Sequence, residues 1–186
     1  MTIDIDCFIS ILEKEIVDYQ VPVVDLIAVQ TNDPYRILVA TILSARTRDE
    51  VTAKAAARLF GEAPDPAALA GLSRERIELL IRPVGFFRNK GAYLADLPGV
   101  LQRDFSGRIP DTVEELCRLP GVGRKTANLV VAVAFKKPAI CVDTHVHRIY
   151  RRMGIAPPEA DHEEVREILE EQVPAEKCGF GHTASI

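Results

Sequence analysis

Apolar positions recur at intervals of three and four along most of the chain, and the strict alternation of a half-buried strand is almost absent. Phe8, Ile11, Leu12, Ile16 and Tyr19 form the first stripe. Asn32-Asp33-Pro34 sets a capping side chain before a first-turn proline. It opens YRILVATILSAR, apolar on most sides and therefore a predicted central helix. Asp49 opens EVTAKAAARLF, closed by Gly61, and 66–72 and 73–81 read as two short helices joined by a turn. Residues 86–105 have helical period but contain Pro98-Gly99, where loss of a donor predicts a kink or break. Thr112-Val113-Glu114-Glu115 has the form of a capping box leading a short helix to Arg118. Residues 124–135, 144–153 and 161–172 complete the series. About ten helices with short connections predict an all-α fold.

The tetrapeptide LPGV occurs twice, at 97–100 and 119–122. The first copy lies inside a helical pattern and reads as a structural irregularity. The second continues into a further glycine, Gly123, and then a new helix. Glycines two apart permit positive φ and close approach of another backbone. The helix that follows offers main-chain N–H groups at its positive end, a ready anion site. Helix, LPGVG turn, helix is therefore a candidate cradle for a DNA phosphate, recognised without regard to base.

Composition supports this. The 186 residues carry a net charge of −4, yet residues 118–152 hold eight Lys/Arg and one acid, a local +7 against −11 elsewhere. A basic field within an acidic protein suggests one face for a polyanion. The acids of 161–172 read as a solvated face with no DNA role. No apolar run approaches the roughly 20 residues of a membrane helix. The N-terminus, MTIDIDCF, lacks the basic start of a signal peptide, so a cytoplasmic protein without a membrane partner is expected. Cys7, Cys117, Cys141 and Cys178 are scattered, form no metal-binding spacing and are expected to be small buried hydrophobes. No metal site is predicted.

Lys125 falls in the first turn after the glycine turn, beside Arg124. The helix dipole and the neighbouring cation both favour the neutral amine, a nucleophile toward carbon. Asp143, in VDTHVHR, follows one helix and a return loop later, within expected reach of Lys125. It also has the position of an N-cap, a role compatible with chemistry.

The stretch LPGVGRKTANLVVAVAFKKPAICVDTHVHR resembles the helix-hairpin-helix and following aspartate of the endonuclease III family of DNA glycosylases. Weaker similarity runs through DPYRILVATILSARTRDEVTAKA and IRPVGFFRNKGAYL. The resemblance implies a two-lobed fold, with a six-helix domain over 27–137 and a second lobe from 1–26 and 138–186. It implies base-excision repair of damaged or abasic duplex DNA, with oxidised pyrimidines as the expected bases. Lys125 would be the nucleophile, forming a Schiff base that permits β-elimination, and Asp143 the essential carboxylate. DNA contacts would come from Leu119, Gly121, Val122, Gly123, Arg124 and Thr126 of the hairpin, and from His145 and Arg148. Phe86, Phe87, Arg88 and Lys90 match a further DNA-facing loop.

Two departures from the family pattern stand out. Relatives commonly carry a gap-filling glutamine where this chain has Ser44-Ala45-Arg46, leaving Arg46 as the candidate wedge. Many also end in a four-cysteine loop for a [4Fe–4S] cluster, which needs four converging thiolates. Here Cys178 stands alone near HTASI, which reads as the start of a helix, so no cofactor is expected. Missing C-terminal helices would weaken DNA binding, and the chain could be a short form or a fragment of a longer enzyme. A mismatch-directed glycosylase and a non-catalytic helix-hairpin-helix DNA-binding module are the rival expectations. The sequence carries no signal of oligomeric state.

Overall fold

In the computed structural model, which describes Ile11 and residues 22–173, ten α-helices and no strand occur among the described residues. The predicted N-terminal stripe lies, apart from Ile11, outside the described residues, as do Cys7 and Cys178. None of the described helices is long and apolar enough to cross a membrane.

Pro22–Phe135 is one compact unit. It begins with α1 (Val23–Thr31), which the capping signals did not announce: Pro22 precedes it without a side-chain cap. Burial of Val23, Val24 and Ala28 against Ile37, Ala40 and Val133 holds it instead. The unit therefore starts before the expected residue 27. At its centre is α2 (Pro34–Ser44), capped by Asp33, whose side chain accepts from the Tyr35 N–H. Ile37, Leu38, Val39, Ala40 and Leu43 are all buried, as expected of a helix apolar on most sides. Around it pack α1, α3 (Asp49–Glu62), α6 (Phe87–Phe105) and α8 (Arg124–Phe135). The short α4 (Pro66–Ala70) and α5 (Arg74–Ile81) pack on α6.

Of the expected kink or break, the break does not occur: α6 runs through Pro98. A proline inside a helix costs about 3 kcal/mol. Leu94, Leu97 and Leu101, each fully buried on the same face, together offset that by roughly 5–9 kcal/mol. Burial decides against the local rule.

The short α7 (Val113–Leu116) leads into the glycine turn and α8. Its expected capping box forms on one side only. Thr112 accepts from the Glu115 N–H, but the Glu115 carboxylate takes the Thr112 hydroxyl at 3.1 Å. Cys117, just beyond, is exposed, whereas Cys141 is buried. The expectation of buried cysteines therefore fails at Cys117, which falls in the exposed turn after α7.

Residues 136–173 are the described C-terminal part of the second unit. Here α9 (Thr144–Arg152) and α10 (His162–Gln172) close over Ile140, Val146, Ala156, Ala160, Val165 and Leu169. A complete capping box opens α10: Asp161 accepts from the N–H groups of Glu163 and Glu164, and Glu164 reaches back to the Asp161 N–H. The acidic face is solvated as expected, with Arg166 held between Glu163 and Glu170.

Candidate nucleic-acid interface

The glycine turn is built from below. Leu119 and Val122 are buried, and the Val122 N–H donates to the Leu119 carbonyl at 3.2 Å. The Leu119 N–H donates in turn to the Leu116 carbonyl at 3.0 Å. Gly121 has φ 73°, and a Cβ there would stand 2.3 Å from Cδ2 of Tyr93 on α6. Both conformation and close packing demand glycine. At Gly123 an added Cβ would meet no atom within 4 Å, so internal packing does not explain that residue. Its carbonyl accepts from Ala127, closing the first turn of α8.

Arg124 and Lys125 are exposed on that first turn, and Thr126 is half-buried. The residue types predicted for the hairpin thus come together on one turn with a helix N-terminus, an arrangement suited to a phosphate. Cys117 is the other nucleophilic side chain nearby. Burial pushes its thiol up, with Arg124 opposing and Glu114 adding to the shift.

Arg46 and Phe86 form a second exposed feature of this unit. Arg46 follows α2 at φ 53°, and Phe86 precedes α6 at φ 57°. The Arg46 guanidinium lies 5.7 Å from the centre of the Phe86 ring, and Phe86 is 59% exposed. Next to them, Phe87 is flanked by Arg82 and Arg88 at 4.9 and 5.8 Å.

Lys90 is a correction. Expected to face DNA, it is buried, and its Nζ donates to the carbonyls of Leu43 and Ala45 and to Thr47 Oγ1. Its charge is spent inside the fold. Three acceptors brought from a distant part of the chain leave no mark beside an N-K-G triplet in the sequence, which is why surface exposure was the natural expectation.

In the second unit Asp143 caps α9. Its Oδ1 accepts from the N–H groups of His145 and Val146 at 2.8 and 2.9 Å. The positive end of the helix favours a carboxylate there. His145 and Arg148 are exposed one turn apart, with Arg148 Nη2 3.2 Å from His145 Nδ1. Both therefore share the exposed first turns of the helix that Asp143 begins.

The chain matches the HhH-GPD superfamily of base excision DNA repair proteins over residues 39–175. It is 46% identical over 144 residues to endonuclease III of Thermotoga maritima, covering 76% of this chain and 68% of that one. A solved non-covalent endonuclease III–DNA complex superposes with a TM-score of 0.84 at 34% identity, covering 97% of this chain and 82% of that one. A thermostable thymine-DNA glycosylase does so with a TM-score of 0.84 at 28% identity, covering 96% and 83%. The chain belongs to the HhH-GPD superfamily of base excision DNA repair proteins.

Proposed function

We propose that the protein is a cytoplasmic base-excision repair enzyme, a bifunctional DNA glycosylase and abasic-site lyase that removes damaged bases, above all oxidised pyrimidines, from duplex DNA. The observation that carries this is Lys125. It is an exposed amine on the first turn of α8, directly after a glycine turn whose second glycine no internal contact explains.

In this reading the Gly121–Gly123 main chain and the α8 N-terminus hold a backbone phosphate, with Arg124 and Thr126 beside it. Lys125 Nζ attacks C1′ of the damaged nucleotide, and the base leaves with the electron pair of the glycosidic bond. Loss of the nitrogen's proton and opening of the sugar ring give an iminium. Removal of a C2′ proton then expels the 3′ phosphate and nicks the strand. Asp143 assists deprotonation and stabilises positive charge developing on the sugar. His145 and Arg148 contact the DNA backbone, and Arg46 fills the space left by the displaced base. Displacement itself costs a few kcal/mol of stacking and pairing, least at a damaged base.

No step is routed through an iron–sulfur cluster. The four cysteines of these 186 residues are scattered, and of the two described, Cys117 is exposed and Cys141 buried. With no metal-binding spacing among them, we propose no four-thiolate site for these cysteines.

Similarity to a thymine-DNA glycosylase favours a second reading, a mismatch-directed glycosylase. The two differ in the amine chemistry of Lys125. Borohydride reduction in the presence of a duplex with one abasic site should trap a covalent protein–DNA adduct, absent in Lys125→Gln, which should retain most of its abasic-DNA binding. Salt-sensitive binding without an adduct would leave the mismatch-directed glycosylase if base release persists, and a DNA-binding module without chemistry if it does not.

A further inference from the structure

Helix α2 ends where Leu43 and Ala45 leave carbonyls beyond the reach of intrahelical donors. Glycine usually closes such an end. Here Lys90 does so from the start of α6. It is 5% exposed, and its Nζ donates to Leu43 O at 2.8 Å, Ala45 O at 2.6 Å and Thr47 Oγ1 at 3.3 Å. The negative end of α2 favours a cation at this point. Thr47 Oγ1 also accepts from the Gly85 N–H at 3.1 Å. Gly85 stands so close that a Cβ there would lie 2.6 Å from the Arg46 carbonyl. One ammonium and one hydroxyl thus fasten the turn after α2 to the turn before α6.

These two turns present Arg46 and Phe86, both in left-handed conformations that a non-glycine residue keeps only when its surroundings impose them. An exposed ring with a guanidinium beside it matches the chemistry that receives an unstacked base. Apolar side chains of this kind also wedge open base steps. We infer that Lys90 is a positioning residue for base opening: without touching DNA, it fixes the two turns so that Arg46 and Phe86 meet an unstacked base together. The inference rests on the repair function proposed above. Burial lowers the Lys90 ammonium to about 8, which leaves it mostly charged at neutral pH, with three protons for three acceptors.

The test uses the full chain and a duplex carrying a tetrahydrofuran abasic analogue opposite 2-aminopurine. Anisotropy reports binding, and 2-aminopurine fluorescence at saturation reports unstacking. Wild-type protein should bind this duplex in preference to an intact one and raise the fluorescence. Lys90→Met should still bind but give a roughly two-fold smaller rise, and should cause no further loss in an Arg46→Ala/Phe86→Ala background. A full rise with Lys90→Met, or a loss that adds to that of the double variant, would overturn the inference. If Lys90→Met does not fold, Thr47→Val removes the shared acceptor together with the hydroxyl's own bond to the Ala45 carbonyl. It should also diminish the rise, and an unchanged rise would equally overturn the inference. Wild-type protein without preference for the abasic duplex would overturn the repair function itself, and this inference with it.

Discussion

The two glycines of the hairpin differ in why they are glycine. Gly121 combines φ 73° with a ring of Tyr93 against its Cα. Gly121→Ala should therefore lower unfolding free energy by about 1–3 kcal/mol, seen as a lower urea midpoint. Gly123 has open space, so Gly123→Ala should cost about 1 kcal/mol or less. It should nevertheless weaken binding to damaged and undamaged duplex alike, as measured by anisotropy. Loss confined to damaged DNA would contradict a main-chain phosphate contact. That a G-x-G turn stood here was legible from the residues themselves. The ring beneath Gly121 was not, because Tyr93 reaches it from another helix. The same holds for Lys90, whose partners lie far back in the chain.

At the scale of elements, local signals were reliable where a side chain meets its own backbone. Asp33 and Asp143 cap the helices they precede, and α8 starts straight after its glycines. They failed where packing decides. Pro98 is absorbed by the leucines around it, and α1 forms on burial alone. The two aspartate caps permit a direct separation of stability from chemistry. Asp161→Ala breaks the capping box of α10 and should cost about 1 kcal/mol while leaving abasic-site nicking unchanged. Asp143→Asn retains a side chain that caps as well as aspartate, so its thermal midpoint should hardly move. Base release should fall by roughly 10²–10⁴, the usual worth of a proton-transferring group. A matched fall in stability would reduce Asp143 to a cap.

For the molecule as a whole, the charge asymmetry and the hairpin motif were sufficient to point to DNA, whereas the bounds of its units depend on long-range packing. Lys90 also ties global stability to pH. Its pKa is lowered to about 8 in the fold from an ordinary 10.5. Between those values the unfolded chain binds more protons, so this residue makes unfolding free energy rise with pH there. The cost of burying the cation is fully present below about pH 8 and is relieved above it. Urea titrations at about pH 7.5 and 9.5 should show wild-type protein gaining relative to Lys90→Met. Parallel behaviour would mean that Lys90 titrates normally.

The order in which the chain can assemble is constrained by that same lysine. The end of α2 receives its closing donors from a residue 47 and 45 positions later, so before α6 docks those carbonyls are left to water. Local reopening should run in reverse, starting at the 44–47 turn. If so, Arg46 and Phe86 should loosen before the helices that carry them, with amide exchange at 44–47 faster than in the body of α2.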